Sequence, residues 1–503
     1  MIEARPTFDT FSKLASRGNV IPLYAEVDAS MTPAEAYARL RGGKYSYLLE
    51  SGRYHPKIGR FSFCGGSPWM VFRSSENRIE IENNGNTQVL EGDPLDKLKS
   101  VFAPLRWAAP EDPAAAETLS AFSGGAVGFV SYDARRLFER LPCGNPDDIG
   151  TPDFYFIFSD TFLVFDHAKK RALAVSTARL KDGEGIEQAY DAALEKLFEL
   201  AARLERPVHP LPTSKFRGLL SGIESNFSQR EYEEIVSRVK EYIAAGDIYQ
   251  ANLSQRLSVK TDIPPFHLYN VLLGINPSPF GGCLEFDGFN VVSSSPERLV
   301  LSRDGVVETR PIAGTRPRGR DLREDRSLSA ELILNEKERA EHIMLVDLER
   351  NDIGRVCRYG TVHVDELMVL EKYSHVIHIV SNVAGRLEEG KDRFDVIRAT
   401  FPGGTITGVP KVRCMEIIDE LENVRRGLYT GSIGYISYNG VIDLNIVIRT
   451  FVIKNGIAHI QVGAGIVADS DPEFEYHETM HKAEAALKTL ERIDRKKASL
   501  QHA

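Results

Sequence analysis

Cysteine is scarce. The 503 residues hold five, Cys64, Cys143, Cys283, Cys357 and Cys414, an odd number, widely scattered and never in a CxxC pair. That distribution excludes a disulfide framework and a zinc site, and predicts reduced thiols used mostly as small buried apolar residues. No apolar run approaches a membrane-spanning length, so no membrane association is expected. The opening MIEARPTFDTFSKLASRG carries charges throughout and has no apolar centre. It does not read as a secretory signal, and the cytoplasm is the expected location. Basic charge is in deficit too: 62 Lys and Arg against 71 Asp and Glu give a net charge of −9. Such a surface offers no long-range attraction to nucleic acid or anionic lipid. Low-complexity segments and repeats with a period of about 20 to 50 residues are also lacking.

What is present, 42% hydrophobic and 26% charged residues, suits a soluble globular chain with a large core. The clearest seam is LERPVHPLPTSKF, where Pro207, Pro210 and Pro212 interrupt the helix-compatible run IEQAYDAALEKLFELAARLE. It separates a first region, 1–205, from a second, 215–495, which are free to share one core. The first is strand-rich: KYSYLLES, RFSFCG, NRIEIEN, FYFIF and TFLVFDH are broken by Gly, Asn, Asp and Pro, which predicts mixed α and β structure with antiparallel strands. The second opens on a capping box, Ser228 to Glu231, then Tyr232, Ile235, Val236, Val239 and Ile243 at helical spacing and a stop at Gly246. Further helices are expected over 326–345, 410–422 and 472–493, with strands in GSIGYISYNG and LNIVIRTFVI.

Two carboxylate sets fall on predicted helix faces: Glu338 with Glu341, and Glu475, Glu478 and Lys482 at i, i+3 and i+7. Carboxylates so placed suit a hard cation such as Mg²⁺, although solvated charged faces are the commoner use of such pairs. GAGIVADSD matches G-x-G-x-x-A but lacks a surrounding βαβ pattern. FPGGTITGVPK is no Walker A loop, because Val409 and Pro410 separate Gly408 from Lys411; an anion cradle and a tight turn both remain open. His378, in an apolar run, reads first as a hydrogen-bonded core residue, and Tyr429 as core. Arg449 in NIVIRTF is a charge inside an expected apolar strand, which needs an anionic partner such as a bound carboxylate.

Over about residues 215 to 490 the segments GDIYQANLSQR, NPSPF, SSPERL, ETRPIAGTRPRG, NEKERAEHIMLVDLERNDIGRV, KYSHVIHIVSNVAGRL, FPGGTITGVPKVRCMEIIDELE, RRGLYTGSIGYIS and VGAGIVADSDPEFEYHET resemble, in order, the chorismate-utilising enzymes, the family of the aminodeoxychorismate and anthranilate synthases. YLLES and FSGGAVGFVSYD extend the resemblance into the first region. It implies a large two-lobed α/β (α+β) sandwich of antiparallel sheets flanked by helices, with chorismate in a cleft between them. By the same resemblance Glu341 and Glu478 are Mg²⁺ ligands, with Glu338 and Glu475 behind them or bridged by water. Glu297 is the general acid that protonates the departing C4 hydroxyl, a role that needs a neutral carboxyl near pH 7. Gly314, Thr315, His378, Thr405, Tyr429, Arg449, Gly463 and Lys482 line the substrate.

Family members that add water carry a Lys base where this chain has Gln250, which cannot deprotonate water, so ammonia is the expected nucleophile. No G-x-C-x-G glutaminase segment is present, so ammonia is expected from a separate glutamine amidotransferase subunit. Ala313 rules out the covalent lysine route of many aminodeoxychorismate synthases, without excluding the route in which ammonia adds first at C2 and again at C4. FPGGTITG, YQANLSQ, SSSPE and NIVIRT resemble aminodeoxychorismate synthases. Against these, Leu48, Leu49, Glu50 and Ser51 with Asn276, Pro277, Ser278, Pro279 and Phe280 resemble the tryptophan site of feedback-inhibited anthranilate synthases, although Gly281 and Gly282 replace bulkier residues there. A catalytically inactive regulatory subunit is disfavoured, because the four carboxylates, Glu297 and Arg449 are all present.

Overall fold

The computed structural model describes residues 2–52, 58–83, 85–142, 144–181, 183–208, 218–372 and 376–500, the last five as helical backbone alone. Its strands form, among these residues, two twelve-stranded sheets in which every named pairing is antiparallel. One face of each sheet meets the other sheet and the opposite face carries helices. The sequence period shows how. In Phe154–Ser159, Phe154, Phe156 and Phe158 enter the core beneath the helices Pro94–Phe102, Glu336–Gly354 and Arg393–Thr400, whereas Tyr155 and Ile157 enter the core between the sheets. Thr161–Asp166 does the same for the other sheet: Phe162 and Val164 face inward, while Leu163 and Phe165 face the layer that holds Ile186–Leu204 and Pro472–Leu500. Strands buried on both faces lose polar alternation, which is why FYFIF and TFLVFDH read as continuous apolar runs.

Both regions contribute to both sheets. Tyr45–Glu50 pairs with Phe280–Phe286, Glu50 opposite Gly281, and Gly125–Val130 pairs with Ser432–Ser437. Residues 209–217 lie outside the described residues, and with them Pro210 and Pro212 of the expected seam.

Ser228 caps Gln229–Ala244 through the expected capping box. The expected helix over 326–345 is instead two, Leu322–Leu334 and Glu336–Gly354. Asn335 breaks it, because its side chain accepts the Glu338 N–H at 3.0 Å and so caps the second helix. LNIVIRTFVI is likewise not one strand: Ile442–Asn445 belongs to one sheet and Thr450–Lys454 to the other. Arg449 therefore sits in a crossover and not inside a strand, with φ at +53°. Cys64, Cys283, Cys357 and Cys414 are free and buried, as expected; Cys143 lies outside the described residues. Among the described residues no helix is long and apolar enough to cross a membrane.

Candidate active site

Two crossovers lie side by side. Phe289–Ser295 and Arg298–Arg303 belong to different sheets, with Pro296 and Glu297 between them, and they pair with Thr450–Lys454 and Ile442–Asn445, which are joined by 446–449. The Ile446 N–H donates to the Glu297 carbonyl at 3.0 Å and the Ser294 N–H to the Arg449 carbonyl at 3.2 Å. Glu297 and Arg449 are thus brought to one place where the chain crosses twice between these paired strands.

Glu297 is buried and its Oε1 has no hydrogen-bond partner. Burial pushes its carboxyl up to about 7, against the opposing pull of the Thr405 hydroxyl, the Ile312 amide and the Arg449 charge. It is therefore protonated over the acidic side of neutrality. Arg449 is half-buried and, among the described residues, its guanidinium has no ion pair and no side-chain hydrogen bond; burial lowers its pKa and Glu297 opposes that. A desolvated cation without a counter-ion among the described residues is a place for an anion.

His378, on the strand Val376–Arg386, is 2% exposed. Its Nδ1 lies 3.0 Å from Thr315 Oγ1 and 3.3 Å from the Gly314 carbonyl. Burial and then Arg449 hold its pKa down at about 4, so the imidazole is neutral near pH 7. Gly314 has φ at +63°, and a Cβ there would stand 2.9 Å from Glu338 Oε2. This contact joins the Glu297 cluster to the carboxylates.

Gln250, the first residue of the strand Gln250–Lys260, donates its side-chain amide to Glu341 Oε1 at 3.2 Å. Burial, then the neighbouring Glu338 and Glu478 charges, raise the Glu341 pKa, with Gln250 and Lys482 pulling it down. Lys482 Nζ lies 2.7 Å from Glu478 Oε1 and donates to the Gly463 carbonyl at 3.0 Å. Glycine at 463 lets the Tyr429 hydroxyl and the Leu253 carbonyl come close, since a Cβ would meet them at 2.7 and 2.5 Å. Burial raises the Tyr429 and Glu475 pKa values, and Glu475 Oε2 has no partner. Ala313 is buried, opposite Ile379 in the sheet.

Among the described residues no three carboxylate, imidazole or thiolate groups are gathered tightly enough to hold a metal. Two of the four candidate carboxylates are instead covered by cations, Glu478 by Lys482 and Glu338 by Arg316 at 3.2 Å. The donor set still fits a hard cation: Glu338 and Glu478 repel the Glu341 carboxylate, Glu478 repels that of Glu475, and a buried Glu475 oxygen lacks a donor.

Two acidic groups near the site, Glu349 and Asp352, escaped the sequence reading. Glu349 is buried on the helix that carries Glu338 and Glu341, its pKa raised by burial, then Asp352 and Glu297, against Lys411 and Thr309. Asp352 accepts from Lys411 Nζ at 2.6 Å. Helical spacing from Glu341 through Leu345 to Glu349 and Asp352 held the signal, but LERND reads as a solvated face.

A second cleft, of about 220 Å³, is lined by Leu49, Glu50, Pro279, Phe280, Gly281 and Gly282 among others. The segments LLES and NPSPF are therefore adjacent. Tyr269 donates to Glu50 Oε1 at 2.8 Å, and burial pushes Glu50 up to about 7. Ser51, Asn276, Pro277 and Ser278 are not among the lining residues, although the Gly52 N–H bonds the Ser278 carbonyl at 2.9 Å.

Residues 69–488 match the family model for chorismate binding enzymes. The chain is 44% identical over 494 residues to anthranilate synthase component 1 of Acetivibrio thermocellus, covering 97% of this chain and 98% of the relative. It is 43% identical over 476 residues to aminodeoxychorismate synthase component 1 of Bacillus subtilis, covering 94% and 97%. The crystal structure of anthranilate synthase component I from Streptococcus pneumoniae superposes with a TM-score of 0.72 at 35% identity, covering 90% of this chain and 97% of that one. Family match, whole-length relatives and shared architecture agree: the chain belongs to the chorismate binding enzymes, among those that aminate chorismate.

Proposed function

We propose that this protein catalyses the Mg²⁺-dependent amination of chorismate to 4-amino-4-deoxychorismate, the precursor of para-aminobenzoate and folate, with ammonia supplied by a separate glutamine amidotransferase subunit. The observation that carries the reading is the pairing of a neutral buried acid, Glu297, with an anion-seeking Arg449 at adjacent crossovers. Arg449 holds a substrate carboxylate. Glu297 then gives its proton to the departing C4 hydroxyl, which leaves as water as ammonia adds at C2; a second ammonia at C4 displaces the first amine. The neutral His378, Thr315 and Thr405 orient the ring, and Gln250 leaves water without a base. Glu341 and Glu478, with Glu338 and Glu475 behind them, would hold Mg²⁺, which would supply charge neutralisation for the ring carboxylate. With Glu478 so engaged, the Lys482 ammonium would be available to the substrate.

The second reading is anthranilate and pyruvate as products, for the tryptophan pathway. It is favoured by the name of the Acetivibrio relative and by the cleft at Leu49, Glu50 and Pro279–Gly282, which under this reading takes tryptophan. The deciding experiment incubates the purified chain with chorismate, Mg²⁺ and high ammonium at alkaline pH and identifies the products by mass spectrometry and fluorescence. A non-fluorescent product that yields para-aminobenzoate only with an added lyase supports aminodeoxychorismate. Anthranilate with pyruvate supports the second reading, and no amination at all overturns both.

A further inference from the structure

The glycine-rich segment 401–410 supplies one wall of the site. Thr405 lies in its single 3₁₀ turn, Gly404–Ile406, its buried hydroxyl near the Glu297 carboxyl and without a formed hydrogen bond among the described residues. Val409 pairs with Gln250, and the Thr407 carbonyl accepts the Asn252 N–H at 3.0 Å. Lys411 begins the following helix, Lys411–Leu421. Its ammonium donates to Asp352 Oδ2 at 2.6 Å and back to the Pro402 carbonyl at 2.9 Å, and both side chains are nearly buried, 13% and 7% exposed. One cation thus closes the segment end to end and fastens it to the helix Glu336–Gly354. Between these anchors Gly404 packs against Leu348 so closely that a Cβ would fall 1.9 Å from Leu348 Cδ2, so segment and helix meet without a spacer.

We infer that Lys411 and Asp352 are positioning residues: their ion pair docks the 401–410 segment onto the carboxylate-bearing helix, and so holds Thr405 against Glu297 at a fixed distance from Glu341. Lys411 is not the ligand of a substrate anion, because its three donors are spent on Asp352 and on the Pro402 and Thr400 carbonyls. Neither residue touches the reacting atoms. Loosening the pair moves Thr405 relative to the general acid while leaving Arg449, on the crossover 446–449, in place. The inference rests on the assignment of Glu297 as the acid.

The test is a double-mutant cycle on the full chain, read by steady-state kinetics in chorismate with ammonium as donor. Lys411→Met is expected to lower kcat about tenfold or more, the scale of a small misplacement in a reacting geometry, with KM for chorismate changed less than about threefold. In a Thr405→Ala background the same substitution is expected to cost less than about twofold, because the group it positions is gone. Lys411→Arg, which reaches the same acceptors, restores most of kcat. Equal losses in both backgrounds, or a KM effect as large as that on kcat, overturn the inference. If Lys411→Met does not fold, as judged by circular dichroism, Asp352→Asn carries the same cycle with the same criteria. Should Thr405→Ala and Glu297→Gln both be fully active, the site assignment falls and the inference with it. If both are impaired but the cycle is additive, the positioning role alone falls.

Discussion

Glu297 and Arg449 occupy neighbouring crossovers between the two sheets, tied by the Ile446 N–H that donates to the Glu297 carbonyl at 3.0 Å. The arrangement sets a neutral acid beside a cation that has no partner among the described residues, so an anionic ligand completes it. Arg449→Met is expected to raise KM for chorismate by roughly 10- to 100-fold, the range for losing hydrogen bonds to a charged group. It should also raise the Glu297 pKa further, because Arg449 pulls that value down. Steady-state kinetics across pH measure both effects, and an unchanged KM removes the carboxylate-binding role.

The acid itself gives a second prediction. Glu297→Gln cannot donate a proton, so kcat should fall by about a hundredfold or more with chorismate binding largely retained. In the unsubstituted enzyme the raised pKa means that the donor form is present below about 7 and is lost as pH rises through that value. Single-turnover rates at fixed free ammonia and saturating Mg²⁺ should therefore decline above neutrality. The Gln variant should lack that limb, and its persistence there would assign the titration to another group.

Strand content was legible because the apolar runs are long and the breakers are clear, and the capping box at Ser228 marked its helix to the residue. The crossovers were not. Residues 446–449 are apolar apart from Arg449 and continue a strand-like pattern, so only the pairing of Ile442–Asn445 and Thr450–Lys454 with different sheets reveals the break. The candidate site was legible chiefly through ordered motifs, and the contacts Gly314 to Glu338 and Gln250 to Glu341 join segments that are far apart in the chain. Glu349 and the Asp352–Lys411 pair stayed hidden because burial turns charges that look solvated into interior groups, and burial is a tertiary property.

Gln250 stands second to the proposed metal ligand Glu341, to which it donates at 3.2 Å. Gln250→Glu replaces that donor with a carboxylate. It raises the Glu341 pKa by adding like charge and removes the bond that orients Glu341. The Mg²⁺ concentration for half-maximal turnover should rise by about 10- to 100-fold, as is typical when the partner orienting a metal ligand is lost. Glu341→Gln and Glu478→Gln should abolish Mg²⁺-dependent turnover outright. Titration calorimetry with Mg²⁺ gives a readout apart from activity, and undiminished Mg²⁺ binding in all three variants would remove the metal assignment.

Glu349 gives the clearest prediction for stability. Burial, then the Asp352 and Glu297 charges, raise its folded pKa above the 4.5 of a free Glu side chain. A carboxyl with a raised folded pKa binds its proton more tightly when folded, so its contribution to stability is complete below about 4.5 and is lost as pH rises toward the folded value. Above that value the chain holds a buried carboxylate whose only cationic neighbour among the described residues, Lys411, is engaged with Asp352. Glu349→Gln keeps the shape and removes the ionisation. The variant should melt close to the unsubstituted protein at pH 5 and on the order of 1 °C or more above it at pH 8.5, since even 1 kcal/mol shifts the midpoint of a large chain only slightly. Differential scanning calorimetry at the two pH values measures the difference. A variant less stable at pH 8.5 than at pH 5, relative to the unsubstituted protein, would mean that Glu349 is ionised and held by Lys411 in the folded chain.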